Sequence, residues 1–303
     1  MKIVELDKKE FDRYVITEPD CSLYHTSKWV SYFNNPKSEY HYLAYQDDVF
    51  YFAFAIVEIY RKNIFSRKEA FVDYGYIINY YDLRLLKNFH NDLVAWLNEK
   101  DVKTLTISPN IPYRTQYGNN AYLLKAIQEL GYEKIEDTFN YSYFPEEEDD
   151  KESLLSLNIS EMNINDADII EKQFSYNVKD VLEHFKDDVK IMALSINTID
   201  SLVKINDSLE EDKENGELDN LRAAVEKIMN EYENDLIVEY ICYIKYDRYA
   251  YILFTDSLNS IDTDRALFKE VMKKEKDIKA LYCQKPFRGA KKEKRIGRYI
   301  FNL

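Results

Sequence analysis

The chain has 303 residues, of which 46% are apolar, and its formal net charge is −14 at pH 7. The length predicts two domains of about 150 residues each, and the acidic excess argues against a surface coated with nucleic acid, since its field repels phosphates. A membrane-spanning helix needs about 20 apolar residues, and the longest apolar run, near residues 50–57, is far shorter. Three scattered cysteines and four histidines predict neither a disulfide framework nor a metal site. The N-terminus lacks a signal-peptide pattern, so a cytoplasmic location is expected.

The first half of the chain predicts strands and helices in alternation. Its early elements are a strand at 2–6, a turn and helix at 22–33, strands at 40–45 and 49–59, and a basic loop at 61–68. Residues 69–110 then predict a strand, a helix and a second strand, because Gly75 interrupts the first strand, Asp82 suits a helix N-cap and apolar residues follow the helical period. Such a unit lays a helix on a sheet. A helix at 121–130 and a strand at 139–144, assigned to the same sheet, complete this half.

The acidic run at residues 146–152 predicts a solvated boundary, which divides the chain into domains at 1–150 and 151–303. The second half predicts a strand at 154–157, a helix at 168–185, a strand at 189–194, helices at 198–213 and 217–233, a hairpin at 236–245 and 248–255, a helix at 263–274 and a strand at 280–283. This order resembles that of an acetyltransferase-like (GNAT) domain, and the first half can be interpreted similarly. The predicted fold class is therefore α/β with mixed sheets, in two tandem GNAT-like domains.

No strong local chemical signature occurs in the sequence. An acetyltransferase binds the acetyl-CoA pyrophosphate with a loop of the form Q/R-x-x-G-x-G/A, whose amides open a helix. None of the six glycines lies in such a loop; Gly289, in KPFRGAKK, comes nearest but lacks the spacing. No cofactor is therefore expected in either half.

Five stretches, in this order, resemble the Fem-type (FemABX-like) peptidoglycan-bridge aminoacyltransferases: SLYHTSKWVSYF, VDYGYIINYYD, VKTLTISPN, LLKAIQELGYEKI and FSYNVKDVLEHFKDDVKIMAL. The resemblance implies two GNAT-like domains without acetyl-CoA. It implies transfer of an aminoacyl group from a charged tRNA to an amine of a peptidoglycan precursor or a related cell-envelope acceptor. An aminoacyl ester is already activated, so such an enzyme mainly aligns the amine with the ester carbonyl and stabilises the oxyanion.

The sequence also departs from the family pattern. Phe33 stands where the family has a lysine, Tyr76 where it has a proline, Ser108 where it has an aspartate, and the closing F-K-x-G-F stretch is absent. Whether the protein is an active acyltransferase is therefore left open. The alternatives are a catalytically altered or inactive Fem-like binding protein, and an acyl-CoA N-acyltransferase acting on a cell-envelope polysaccharide precursor.

The resemblance suggests substrate-binding residues but no assigned catalytic residue. Trp29, Tyr74 and Ser108 are expected to line a cleft of the first domain, with Tyr251 added from the second; Trp29 and Tyr74 are equally compatible with a core position. Ser108 takes the place of a family acid but cannot act as a base at neutral pH.

One basic cluster stands out near the C-terminal end of this acidic chain. Its members are Lys285, Arg288, Lys291, Lys292, Lys294, Arg295 and Arg298. It is either a solvated pair of strands or a phosphate-contact site for tRNA or a nucleotide-sugar. The expected partners are thus an aminoacyl-tRNA and a peptidoglycan precursor or nucleotide-sugar, with peripheral membrane contact through a lipid-linked substrate left open.

Overall fold

The chain folds into two compact units, formed by Met1–Asn140 with Lys292–Leu303 and by Tyr141–Lys291. The structure, a computed structural model, describes residues 1–18, 21–33, 35–79, 82–109, 119–144, 155–163, 166–174, 178–211, 216–231, 236–258, 266–287 and 290–303. Among these residues no helix is long and apolar enough to cross a membrane.

The first unit is built on an eight-stranded mixed sheet. Its strands are β1 (Lys2–Glu5), β2 (Glu39–Asp47), β3 (Phe50–Tyr60), β4 (Lys68–Tyr74), β5 (Ile77–Ile78), β6 (Val102–Pro109) and β7 (Glu133–Glu136), and its helices are α1 (Lys8–Val15), α2 (Ser27–Phe33), α3 (Leu83–Glu99) and α4 (Asn119–Glu129). The eighth strand is β15 (Arg298–Asn302), and the order is β1-β2-β3-β4-β6-β15-β7, with β5 also pairing β3. The strand after α3 returns parallel to the strand before it, β4 to β6, so the predicted strand–helix–strand unit is present.

Local chemistry explains that central unit. The Asp82 carboxylate accepts a hydrogen bond from the Leu85 amide at 2.9 Å, which caps α3 as predicted. The apolar face of α3, including the fully buried Phe89 and Leu93, packs into the core with β-strand residues such as Val72. The end of β4 is thereby fixed against β6, and this end carries the residues that matter for the site.

The chain contains a second mixed sheet, most of which belongs to the second unit. Its strands are β8 (Phe139–Tyr143), β9 (Leu157–Met162), β10 (Val189–Ile196), β11 (Leu236–Tyr246), β12 (Tyr249–Ser257), β13 (Ala280–Cys283) and β14 (Lys291–Lys294), and its helices are α5 (Ala167–Phe174), α6 (Val178–Phe185), α7 (Thr198–Glu211), α8 (Gly216–Glu231) and α9 (Ala266–Lys274). The order is β14-β8-β13-β12-β11-β10-β9. A separate apolar core lies on this sheet.

Several details differ from the sequence-based expectation. The strand predicted at 139–144 lies at 139–143, and its assignment to the first sheet is wrong, because it pairs antiparallel with β13 in the second sheet. The strand predicted at 154–157 lies at 157–162 instead, and residues 168–185 carry two helices rather than one. The acidic run at 146–152, where the domain boundary was predicted, lies outside the described residues. The C-terminal strand, assigned by that boundary to the second domain, lies within the first unit.

Candidate functional site

A cavity of about 120 Å³ opens in the first unit beside α2 and strands β3 and β4. Its lining combines aromatic rings with two acids: Tyr24, Trp29, Val30, Phe33, Tyr40, Ile56, Glu58, Phe71, Asp73 and Tyr74. Two of the predicted substrate-binding residues, Trp29 and Tyr74, therefore meet in one cavity. Both are also largely buried, so each serves as a packing residue as well as a cavity wall.

The position of Trp29 follows from how α2 begins. The Asp12 carboxylate, which belongs to α1, accepts hydrogen bonds from the Ser27 amide at 2.8 Å and the Ser27 hydroxyl at 2.6 Å. The Thr26 hydroxyl oxygen accepts a bond from the Trp29 amide at 3.3 Å. These bonds satisfy amides that a helix N-terminus leaves without intrahelical partners. The first turn of α2 is thus fixed, and Trp29 with it.

Tyr74 ends β4 in a conformation that is rare for a bulky residue. Its φ is +64°, and Gly75 follows with φ +80°. Such a backbone costs of order 1–3 kcal/mol and persists only where the surroundings hold it. The Tyr24 ring stacks on the Tyr74 ring at 4.1 Å with 16° between their planes, and His25 Nε2 lies 3.3 Å from the Tyr74 carbonyl oxygen. The turn that carries Tyr24 and His25 therefore stabilises the strained end of the strand.

His25 is a fixed, neutral support for this turn. The Ser22 amide donates to His25 Nδ1 at 3.1 Å, so the proton resides on Nε2, which donates to the Tyr74 carbonyl. Burial lowers the pKa of His25 to about 4, which the bond to the Tyr74 carbonyl opposes only in part. Because the ring is neutral at pH 7, it positions Tyr74 without adding charge to the site.

Asp73 and Glu58 bring negative charge to the aromatic cavity. Asp73 is exposed to solvent, yet protein atoms crowd its carboxylate, and this desolvation raises its pKa. The Arg295 charge, the Tyr74 amide and Arg298 oppose the rise, whereas Glu58 adds to it. The Asp73 carboxylate accepts a bond from the Tyr74 amide at 3.0 Å and forms no ion pair with any described residue. It therefore faces the cavity with acceptor capacity to spare.

Two buried polar groups adjoin Asp73. Ser108 on β6 pairs in register with Asp73, and its hydroxyl is buried without a hydrogen-bond partner among the described residues. Arg295 is buried too, its guanidinium lies 5.5 Å from the centre of the Tyr74 ring, and its Nε and Nη1 have no partner in the described part of the chain. Unsatisfied buried donors are costly. Arg295 thus offers free donors next to the acidic cavity.

The remaining predicted site residues lie elsewhere. Tyr251 is buried on β12 of the second unit, with its ring 6.2 Å from that of Tyr282. Lys285, Lys291 and Lys292 are exposed. The Lys292 ammonium lies 3.7 Å from the centre of the Phe139 ring.

The other members of the basic cluster differ from these lysines. Arg298 is half-buried and forms an ion pair with Glu136 at 2.6 Å. Arg295 lies in the buried position described above. Arg288 is outside the described residues, and Lys294 is described only through its backbone in β14. Among the members whose side chains the structure describes, the exposed ones are all lysines.

Sequence reasoning missed Asp73, Glu58 and His25. All three stand in stretches that it singled out, and a lone acid near the end of an otherwise apolar strand (AFVDY) was an available signal for Asp73. The role of Glu58 depends on the pairing of β3 with β4, and that of His25 on a contact 49 residues away. No described group of three His, Cys, Asp or Glu residues could hold a metal ion.

The mixed sheets and their helices confirm the predicted α/β fold class, and a solved structure shares this fold. The chain superimposes on the crystal structure of FemX with a TM-score of 0.69 at 11% identity, covering 100% of this chain and 98% of that one. A tandem GNAT protein from the clavulanic acid biosynthesis pathway matches with a TM-score of 0.48 at 10% identity, over 99% of this chain and 98% of that one. A search of curated protein sequences finds no match.

The family is established by sequence. Residues 6–295 match the FemAB family, so the chain belongs to that family. The membership supports a Fem-like transferase of cell-wall synthesis as the class of protein.

Proposed function

We propose that this protein transfers an aminoacyl group from an aminoacyl-tRNA to a primary amine of a peptidoglycan precursor or related cell-envelope acceptor, and that the first-unit cavity holds the amine. The observation that carries the proposal is the chemistry of the cavity, in which aromatic rings surround the carboxylates of Asp73 and Glu58. Ring faces and carboxylates both attract an ammonium group. The family membership agrees with this assignment.

The reaction needs alignment more than a strong catalyst. The bound ammonium first gives up one proton to solvent. The amine nitrogen then bonds to the acyl carbon, the ester C–O bond to the tRNA ribose breaks, and a second proton passes from nitrogen to the ribose oxygen. In this proposal Asp73 holds the amine in place. Arg295, whose Nε and Nη1 are buried without partners among the described residues, stabilises negative charge on the acyl oxygen or on a substrate phosphate. Alignment alone contributes a large part of the rate of such reactions.

The exposed lysines of the basic cluster support the tRNA part of the proposal. Lys285, Lys291 and Lys292 lie on the surface of a chain whose net charge is −14, so phosphate binding should concentrate there. Each phosphate contact gives a log–log salt slope of about −0.7 to −0.9, so three contacts give about −2 to −3.

A salt titration of aminoacyl-tRNA binding by filter retention tests this part. The combined change Lys285→Glu, Lys291→Glu and Lys292→Glu should flatten the slope and nearly abolish binding. The matched control is Lys204→Glu on α7, another exposed lysine outside the cluster. Binding that is absent at low salt, or equal in both variants, would remove tRNA as the donor.

The cavity is tested through its own tryptophan. The chain contains two tryptophans, so in a Trp96→Phe background Trp29 alone reports on the cavity. A lysine-containing peptide should change the Trp29 fluorescence, and the same peptide with norleucine, which replaces the ammonium by a methyl group, should not. Asp73→Asn should weaken the lysine-peptide affinity about ten-fold, as expected for loss of a charge-assisted hydrogen bond. The control Asp207→Asn, an exposed acid on α7, should leave the affinity unchanged.

The two alternative functions give different results in the same assays. A Fem-like binding protein without activity would bind the amine peptide but transfer no labelled amino acid from charged tRNA. An acyl-CoA N-acyltransferase would transfer an acyl group from CoA instead. Equal response to the lysine and norleucine peptides would contradict the amine site itself.

A further inference from the structure

The turn that joins β3 to β4, residues 61–68, exposes two large apolar side chains side by side. Ile64 is 82% exposed and Phe65 is 92% exposed, the highest values among the large apolar residues that the structure describes. Single exposed apolar residues are ordinary on protein surfaces. An adjacent pair of exposed apolar residues at the apex of a turn is less common, and such a pair is a candidate contact surface.

The turn is closed by a specific set of hydrogen bonds. The Ser66 amide donates to the Asn63 carbonyl at 3.1 Å, the Asn63 amide to Ser66 Oγ at 3.0 Å and the Phe65 amide to Asn63 Oδ1 at 2.9 Å. Arg61 Nη1 donates to the Ser66 carbonyl at 2.8 Å. These bonds fix the apex, so Ile64 and Phe65 are held in water rather than folded back onto the sheet.

Cations surround the apolar apex. The sequence of the turn, RKNIFSRK, has four basic residues and no acid, within a chain of net charge −14. The nearby acids are already engaged: Glu69 pairs with Lys62 at 2.9 Å, and Asp101 pairs with Lys103 at 2.8 Å. Arg67 is exposed at the foot of the apex. The local surface is thus positive although the protein as a whole is acidic.

We propose that the 61–68 turn docks on an anionic lipid surface, with Ile64 and Phe65 entering the boundary between headgroups and acyl chains and the cations contacting headgroup phosphates. Large apolar side chains flanked by Lys and Arg are what such a boundary accommodates. A single-stranded RNA would instead favour several rings on which bases stack. The turn offers one ring, and Ile64 cannot stack, so the lipid surface is the better fit.

The docked turn would bring the cavity close to the lipid. Strands β3 and β4 run from the turn into the cavity, and the pair Glu58 and Phe71, which lines it, lies three residues beyond the turn on each strand. That is about 10 Å at 3.4 Å per residue. This one consequence rests on the proposed amine site: if that site is correct, the acceptor is carried by a membrane lipid.

Vesicle sedimentation tests the docking independently of any transfer activity. Wild-type protein should bind vesicles of phosphatidylcholine with about one third phosphatidylglycerol, and bind vesicles of phosphatidylcholine alone far less. The double change Ile64→Ser and Phe65→Ser should lower the partition coefficient about ten-fold or more. Arg67→Gln should lower it about five-fold.

The matched control lies at the other end of β3. Val49 and Phe50 form a second exposed apolar pair, 77% and 67% exposed, but Asp47 and Asp48 precede them. The change Val49→Ser with Phe50→Ser should leave vesicle binding unchanged. As a second measurement, brominated acyl chains should quench the added fluorescence of Phe65→Trp, because only a ring that enters the bilayer meets the bromine.

Three results would overturn the proposal. One is wild-type binding to anionic vesicles no stronger than that of the Ile64→Ser, Phe65→Ser variant. Another is equal loss in the Val49→Ser, Phe50→Ser control. The third is that changing the turn lowers binding of tRNA and not binding of vesicles. All positions changed are exposed, and an unaltered melting temperature confirms that each variant folds.

Discussion

Each unit of the molecule has an acid with cations nearby, but the pKa of this acid is lowered in the second unit and raised in the first. In the second unit Glu275 is 6% exposed and accepts hydrogen bonds from Lys190 at 2.5 Å and from the Tyr243 hydroxyl at 3.0 Å, with Lys245 at 3.6 Å. Burial alone would raise the pKa of Glu275, but these partners outweigh it and the pKa is lowered. In the first unit Asp73 faces the cavity without an ion pair among the described residues, and its pKa is raised.

The difference separates an acid that stabilises the fold from one that is available to a ligand. Glu275 is charged and buried, and the donors around it satisfy its carboxylate, so its charge favours the folded state. The charge of Asp73 is opposed by its surroundings, which costs stability whenever it ionises. Groups with shifted pKa values of this kind are concentrated at functional sites.

The largest expected effect concerns two histidines that the first unit buries as neutral rings. Burial lowers the pKa values of His25 and His90 from 6.5 to about 4. The unfolded chain therefore takes up protons first as the pH falls, so stability is lost from about pH 6.5 down to pH 4, by up to about 3 kcal/mol for each ring. We expect urea unfolding followed by tryptophan fluorescence, which reports on the first unit alone, to show this loss.

The histidine prediction has a built-in control. His90→Gln should flatten the pH dependence between pH 7 and pH 5, whereas His184→Gln, a change in the second unit, should leave it as it is. A wild-type free energy of unfolding that stays constant over that range would contradict the neutral burial of both rings.

Next in size is the loss of the Glu275 network. Glu275→Gln should lower the free energy of unfolding of the second unit by about 2–3 kcal/mol, because breaking a buried pair leaves its partner charges uncompensated, and the partial exposure of both lysines reduces the cost. The measurement is urea unfolding at pH 7. Asp277→Asn is the matched control, since Asp277 also lies near Lys245 but is 84% exposed, and it should cost under about 0.5 kcal/mol.

The Glu275 effect should also disappear in acid. A lowered pKa means that the stabilisation is present above the unfolded value of 4.5 and is lost as the pH falls through the folded value. The gap between wild type and Glu275→Gln should therefore shrink below pH 4.5. A gap that persists in acid would mean that the residue acts through packing rather than charge.

The smallest effect is expected at Asp73. Its raised pKa means that stability is lost as the pH rises above 3.8, so Asp73→Asn should not destabilise the protein at pH 7. Because the residue is exposed, we expect the melting temperature to change by no more than about 2 °C. A marked drop in melting temperature would show that Asp73 is a structural acid like Glu275, and would weaken its assignment to the amine site.

How much of this structure could be predicted from the sequence depends on whether each element is determined by nearby residues or by residues far apart in the chain. The strand–helix–strand unit at 69–110 was predicted correctly because the cap at Asp82 and the apolar period of α3 are local. Helix α1 was missed although Asp7 caps it, since only eight residues carry its pattern. The pairing of β8 with β13 joins residues far apart in the chain, and nothing local in FNYSY distinguishes one sheet from the other.

The candidate site was predicted in the same uneven way. Trp29 and Tyr74 were found through motifs, and the structure brings them to one cavity. The proximity of Arg295 to Tyr74 was not predictable, because 220 residues of chain lie between them and only the completed sheet brings them together. The strain at Tyr74 also leaves no trace in its residue type, since bulky side chains rarely adopt that φ.

The position of β15 has a consequence for how the protein is made. Arg298–Asn302 pairs with both β6 and β7, and Tyr299 in it is fully buried. Since a ribosome synthesises the chain from its N-terminus, the first sheet keeps an open edge at β6 while the whole second unit emerges. The two units therefore cannot mature strictly one after the other, and a nascent chain halted before residue 298 would expose an unpaired strand to aggregation or to chaperones.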